Sequence, residues 1–304
     1  MSNKNQIVAV VLTRNRLNIL EQCLESIQSQ EETCDIIIVD NASDDGTEDM
    51  IKDSFQGDGI HYYNTGANLG SAGGFSFGVK QAVLLGYDYI WIMDDDVIPD
   101  KNALQELMQA DKKLGGNWGC LSSFSYWRDG SVCKANRQKK GLFTFFRDSD
   151  YEKDLVPAKI VAFASMLVKR SAVEDVGIPI ADYFFYTDDY EFSMRISSKY
   201  PTYVVPSSRV LHAMPVNTKA SLLTDPPEKL WRYKYLYRND MHCYRRFGFK
   251  GWLYVRFKQV YTFLQILIFE KNKEIKQEKI NILCDAVREG HTFEPEIEIV
   301  RYDG

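Results

Sequence analysis

Residues 89–96 read Tyr-Ile-Trp-Ile-Met-Asp-Asp-Asp, an apolar run followed directly by three aspartates. A short continuous apolar run of this kind predicts a strand buried on both faces of a sheet, with the acids at its carboxyl end. In open α/β sheets ligands bind in the crevice outside the carboxyl ends of the strands. Three consecutive carboxylates repel one another. A bound cation relieves that repulsion, and hard oxygen donors suit Mg²⁺ or Mn²⁺. A solvated turn is the alternative for any acidic triplet; the strand in front of this one favours the cation.

Upstream, Gln6–Leu12 (QIVAVVL) predicts another buried strand, after which Leu17, Leu20, Leu24 and Ile27 recur at helical spacing. Asp35–Val39 (DIIIV) is a further strand ending at Asp40, and the turn-rich Asn41–Thr47 segment is suited to cap a helix starting near Glu48. His61–Asn64 predicts a short strand. Asn68–Phe75 (NLGSAGGF) leads into a helical pattern through Val79, Val83 and Leu84, with glycines expected to leave the backbone open to close approach. Strands alternating with helices predict βαβ units and a mainly parallel sheet, hence an α/β fold.

Downstream the pattern is mixed. Arg128–Lys140 reads as a polar, basic loop, and Lys159–Val168 (KIVAFASMLV) as a strand returning to the core. Phe184–Phe192 (FFYTDDYEF) opens a helix continuing through Met194 and Ile196. Thr202–Val205 reads as a strand, and Val210-Leu211-His212 follows Pro206. Asp225-Pro-Pro227 is a break, so the expected division is an α/β domain over residues 1–224 and a helical, aromatic and basic extension over residues 225–304.

The chain has 304 residues, 37 basic and 42 acidic, for a formal net charge of −5, with 45% hydrophobic side chains. That composition excludes disorder, collagen and coiled coil, and the acidic balance argues against a nucleic-acid partner. Six scattered cysteines without a CxxC pair read as reduced, packed thiols rather than zinc ligands. The apolar stretch Ile7–Leu12 is too short for a signal-peptide core, and the tract Tyr261–Phe269 too short to span a bilayer, so a cytoplasmic location is expected. Between Tyr244 and Phe269, Arg245, Arg246, Lys250, Arg256 and Lys258 stand among aromatics without a single acid. Two readings are open: a packed helical hairpin, or an interfacial segment giving peripheral contact with the inner face of the plasma membrane. One-sided charge with Trp252, Tyr254 and Tyr261 favours the second.

Several side chains carry paired readings. Asp188 and Asp189 suit either a proton acceptor in a cleft or the acidic start of a helix. Taken alone, His212 beside Val210 and Leu211 is more often a buried structural histidine than a ligand. Arg14 and Arg16 suit base stacking or phosphate neutralisation as well as a solvated loop. Asp40 suits a base or ribose contact, or the capping of its own turn.

Taken in order, VAVVLTRNR, IIIVDNASDDGT, NLGSAGGF, YIWIMDDD, FFYTDDYEF and the late VLH resemble the family 2 glycosyltransferases of the GT-A fold. The resemblance runs over about residues 6–215. Within that family NLGSAGGF and the acidic triplet are most similar to the galactofuranosyltransferase and rhamnosyltransferase branch of bacterial cell-surface polysaccharide synthesis. The resemblance implies a Rossmann-like, mainly parallel sheet flanked by helices, with Asp94, Asp96 and His212 holding Mn²⁺ or Mg²⁺ on the donor diphosphate. It implies Asp189 as general base. Thr13, Arg14, Asn15, Asp40 and Asp95 would hold the nucleotide, with Asn68, Gly70, Gly73 and Gly74 beside the donor. Ser71 departs from the pattern, where that branch commonly has another glycine.

The implied reaction is an inverting single displacement: a hydroxyl of a glycan or lipid-linked glycan acceptor attacks a nucleotide sugar. UDP-galactofuranose is the expected donor and dTDP-rhamnose the alternative. Arg238 or His242 would help offset charge on the leaving group. Two rivals remain: a nucleotidyltransferase, whose glycine-rich basic signature is missing after Leu12, and a non-catalytic partner in a polysaccharide-assembly complex. Retention of Asp94, Asp96, Asp189 and His212 speaks against the second.

Overall fold

Alternate residues of the first strand, β1 (Ile7–Thr13), feed two different cores, which is why the run is apolar without interruption. Val8, Val10 and Leu12 face one side of the sheet; Ile7, Ala9 and Val11 face the other. The computed structural model describes residues 6–303. Residues 1–5 and Gly304, which fall at the outer ends of the two expected units, lie outside the described residues.

The chain then follows the expected alternation: α1 (Leu17–Gln28), β2 (Asp35–Asp40), α2 (Thr47–Ser54), β3 (Ile60–Asn64), α3 (Gly70–Leu84) and β4 (Tyr89–Asp94). Strand β1 pairs in parallel with β2 and β4, and β2 with β3. A short β5 (Val97–Pro99), α4 (Ala103–Lys113), β6 (Cys120–Tyr126), β7 (Val156–Pro157), β8 (Met166–Lys169), α5 (Arg170–Val176), α6 (Asp188–Lys199) and β9 (Thr202–His212) complete the sheet and its cover. The order is β3-β2-β1-β4-β8-β6-β9-β5, with β7 also on β9. Strand β8 is antiparallel to both neighbours, whereas β6 and β9 are parallel. The sheet is therefore mixed and mainly parallel, as expected.

Two strand expectations change. The strand read over Lys159–Val168 is confined to Met166–Lys169, because Ser165 takes φ 75° and breaks the extended run. Its hydroxyl then accepts from Trp91 Nε1 at 2.8 Å inside the sheet. Conversely, the two short pieces around Pro206 are one strand. Strand β9 passes Pro206 where its register with β6 jumps from Val205 to Arg209, an irregularity that removes the need for a ladder N–H at proline.

The glycines of α3 have a packing role. Gly74 and Gly78, one turn apart, bring the helix down on the sheet. A Cβ at Gly78 would lie 2.5 Å from Val10 Cγ1 and 2.9 Å from Val39 Cγ2. Alanine in mid-helix ordinarily stabilises by about 0.5–1 kcal/mol over glycine, but overpacking a filled core costs about 1–3 kcal/mol. Gly78→Ala is therefore expected to lower unfolding free energy in urea denaturation; a gain would show that α3 lifts from the sheet freely.

After the break come a 3₁₀ turn (Pro227–Arg232), α7 (Tyr233–Arg245), α8 (Gly248–Phe269) and α9 (Lys273–Thr292). Tyr233, Tyr237, Ile266, Leu283 and Ala286 form their shared core. Residues 293–303 then return to the α/β layers, where Val300 is buried in the sheet core and Glu298 accepts from Ile178 N at 3.0 Å through its carbonyl. The change at residue 225 is thus one of architecture, with packing continuous across it.

Candidate active site

The carboxyl ends of β1, β2 and β4 and the start of α6 converge at one edge of the sheet. Asp94 is the last residue of β4, opposite Leu12. The chain turns at once into β5, whose antiparallel pairing sets Val97 opposite His212. Ala213 N donates to Asp96 O at 2.8 Å. That register brings His212 Nε2 to 3.0 Å from Asp96 Oδ1. Ligand atoms of Asp94, Asp96 and His212 all lie within 4.8 Å of one another.

Buried like charges crowd the trio. Burial and the charge of Asp96 push the Asp94 carboxyl up, whereas Asp96 is held low, against its burial, by His212 and Arg16. His212 is raised, despite burial, by its hydrogen bond to Asp96. Its other nitrogen, Nδ1, sits 2.5 Å from Asn136 Oδ1 and 3.8 Å from Cys133 Sγ. An oxygen there accepts Nδ1–H and aims Nε2 at the carboxylates; Nε2–H donates to Asp96, and release of that proton would leave its lone pair facing a cation, as a ligating histidine needs. Two carboxylates and an oriented imidazole fit Mn²⁺ or Mg²⁺.

Other expected donor contacts are redistributed. Thr13 donates to Asp95 Oδ2 at 2.8 Å, and Arg16 Nη1 bridges Asp95 Oδ1 and Asp96 Oδ2, each at 2.8 Å. Asp95 is thereby a buried link between the β1 loop and the acidic triplet rather than an open donor ligand. Both loop arginines are exposed, and of the two Arg16 engages the acids. Asn15, at φ 52°, ties the first two loops together: its N–H donates to Ser43 Oγ, and its Oδ1 accepts from Asp44 N at 2.9 Å. Asp40 is fully buried, accepting from Ser43 N and Oγ and from Tyr62 OH. Those contacts match the turn-capping reading, not the base or ribose reading.

The glycine-rich stretch is likewise packed rather than open. Gly70, Gly73 and Gly74 are buried in the first turns of α3, and an added Cβ would meet Phe184 O at 2.0 Å, Leu69 Cβ at 2.7 Å and Leu12 Cδ1 at 2.3 Å respectively. Asn68, exposed, caps the turn by accepting from Gly70 N at 3.0 Å. Ser71 uses its side chain on Asp188. The departure from glycine at Ser71 thus has a partner in the site.

Asp188 and Asp189 open α6 from an unusual loop. Phe184, Tyr186 and Thr187 take φ of 60°, 65° and 68°, a left-handed conformation that costs bulky side chains about 1–3 kcal/mol each. Helix α7 holds that loop in place. The fully buried Asn239 amide donates to the carbonyls of Tyr183, Phe185 and Tyr186 at 2.9–3.0 Å, and Arg238 Nη2 donates to those of Asp182 and Tyr183. Thr187 Oγ1 donates to Asp240 Oδ1 at 3.1 Å. Burial and Asp188 push the Asp189 carboxyl well above the usual carboxylate range, with Asp94 adding to the effect. Asp189 is therefore within the field of the acidic triplet.

Arg238 and His242, expected at a leaving group, have partners within the fold. Arg238 is engaged by the loop carbonyls and by Glu289 at 2.9 Å. His242 lies under Tyr183, 2.6 Å from its hydroxyl, and burial with nearby Arg246 lowers it to about 4, so it carries no charge near neutrality. Asn136 and Asn239 are residues that sequence reading passed over, and Arg16 was read toward a base or phosphate, or as a solvated loop charge, rather than toward the acids.

A model of the family described as Glycosyl transferase family 2 matches residues 8–177. Galactofuranosyltransferase GlfT1 of Mycolicibacterium smegmatis is 28% identical over 213 residues, covering 64% of this chain and 67% of that protein. GlfT1 of Mycobacterium tuberculosis strain H37Rv is 28% identical over 199 residues, covering 62% and 64%. The alignments thus span about two thirds of the curated relatives' length. Among solved structures, GalNAc-T7 with UDP, GalNAc and Mn²⁺ is similar with a TM-score of 0.63 at 14% identity, covering 95% of this chain and 56% of that one. Mannosyltransferase PcManGT from Pyrobaculum calidifontis, with GDP-Man and Mn²⁺, gives 0.58 at 15% identity, covering 96% and 88%. These structural likenesses speak for the fold.

Proposed function

Since the chain belongs to glycosyl transferase family 2 and has the GT-A fold, we propose that it transfers galactofuranose from UDP-galactofuranose, with inversion, to a hydroxyl of a glycan or lipid-linked glycan. The observation that carries this reading is the Asp94–Asp96–His212 cluster with Asp189 in its field at the same strand ends. The choice of sugar is supported by the two galactofuranosyltransferase relatives at 28% identity.

Asp189 takes the proton of the acceptor hydroxyl as that oxygen bonds to the anomeric carbon and the bond to the nucleoside diphosphate breaks. Burial and Asp188 raise its proton affinity above that of a free carboxylate. Asp94, Asp96 and His212 hold the divalent cation, which when bound supplies positive charge to the diphosphate leaving group. Arg16 fixes Asp96 and Asp95, and Asn136 fixes the His212 ring. Exposed Arg14 is the loop cation open to the donor. Residues up to about 224 form the catalytic unit, and α7 braces the loop that presents the base.

Release of free nucleoside diphosphate by the purified chain tests the donor, with UDP-galactofuranose, UDP-galactopyranose and dTDP-rhamnose offered separately alongside a lipid-linked glycan acceptor. Turnover of UDP-galactofuranose that stops with a chelator is expected. Turnover of dTDP-rhamnose alone would move the reading to the deoxysugar, and silence on all three would remove transfer from this chain.

A further inference from the structure

Helix α8 leaves one long face uncovered. Phe249, Leu253, Phe257, Val260, Leu264 and Ile268 recur at three- and four-residue spacing and are all exposed, Phe249 by 75%, Phe257 by 67% and Ile268 by 70%. Trp252 stacks on Phe249, and Tyr261 on Phe257, extending the same surface. Eight large apolar or aromatic side chains stand open on one helix, where single scattered ones are the norm for a monomer surface.

Its charges have one sign. Of the five cations between residues 245 and 258, Arg246 and Lys258 are paired inward with buried Glu191 and Asp240, and Arg245 pairs with exposed Glu294. Lys250 is exposed on the outer face, and Arg256 lies at its edge, 6.0 Å from the Trp252 ring centre. No carboxylate occurs anywhere from Arg245 to Phe269, although the whole chain has a net charge of −5. Beyond its carboxyl end exposed Lys271 and Lys273 alternate with Glu270, which pairs with Lys279, and with exposed Glu274. Among the described residues no helix is long and apolar enough to cross a membrane.

We infer that the outer face of α8 docks on an anionic lipid bilayer, lying in the plane of the headgroups. Aromatic rings with polar tips, aliphatic side chains beneath them and unpaired cations at the margin match such an interface chemically. A second copy of the chain fits less well, because its α8 face offers no carboxylate to answer Lys250 and Arg256, whereas anionic headgroups do. The inner face of α8 reaches Asp240 through Lys258, and Asp240 holds Thr187 before the candidate base. Docking by this helix therefore brings the site to acceptors on the membrane surface, though the inference itself stands whichever sugar is transferred.

The test is flotation of the full chain with phosphatidylcholine vesicles and with vesicles mixed with phosphatidylglycerol, alongside the solution mass at rising concentration. Binding to the anionic vesicles is expected, reduced about tenfold or more in Phe257→Asp. Lys250→Glu combined with Arg256→Glu should lose the preference for phosphatidylglycerol while leaving turnover with a water-soluble acceptor unchanged. No binding to either vesicle by the native chain would overturn the inference. So would a dimer of the native chain that Phe257→Asp dissolves, since it would make a second copy the occupant.

Discussion

Asp189→Asn is expected to lower kcat by about 10²–10⁴-fold with donor affinity nearly unchanged, the range a positioned general base contributes. The substitution keeps size and shape. Asp189 Oδ1 accepts the Tyr190 N–H at 2.7 Å, and an amide oxygen can accept the same bond. What disappears is the capacity to take a proton. A structural role at the helix start predicts something different: loss of stability with little effect on kcat. Measuring kcat, donor dissociation constant and thermal midpoint together separates the two. Equal kcat in both proteins would remove Asp189 from the chemistry.

Asp94→Asn is expected to abolish cation-supported turnover, by about a hundredfold or more, because it removes a charged ligand from a three-residue set. Its effect on the fold should be small or favourable. Burial and the charge of Asp96 both disfavour ionised Asp94, so a neutral amide relieves repulsion in the metal-free protein. Asp96 is the instructive contrast. It pairs with Arg16 and His212, so Asp96→Asn leaves both cations short of a partner and costs stability as well as activity. Mn²⁺ titration with chemical denaturation of both variants distinguishes a cation site from a salt-bridge cluster. If Asp94→Asn destabilised the protein and spared turnover, the cluster would be structural.

The strands were legible because β1, β2 and β4 are covered on both faces and so read as unbroken apolar runs. The acidic triplet was legible because three adjacent like charges at the end of such a buried run repel one another until a cation relieves them. The finer site was not. Sequence spacing cannot decide whether Arg14 or Arg16 turns back to the acids, since that depends on a loop in which Asn15 takes a left-handed conformation. Asn136 lies in a stretch read only as polar and basic, and it meets His212 through a contact spanning 76 residues. Asn239 looks like any polar residue on a helix until the strained loop it supports is seen. The glycines of α3 were visible, but whether they admit a ligand or a neighbouring strand depends on packing, and Gly74 and Gly78 meet strand side chains.

The central claim is that Asp94, Asp96 and His212 together hold the cation on the donor. Anomalous diffraction at the manganese edge, from crystals of the chain grown with UDP and Mn²⁺, tests it most directly. The account predicts one strong peak in coordination contact with all three side chains and with the diphosphate. UDP bound at the strand ends without such a peak, or with the peak held by other residues, would contradict it.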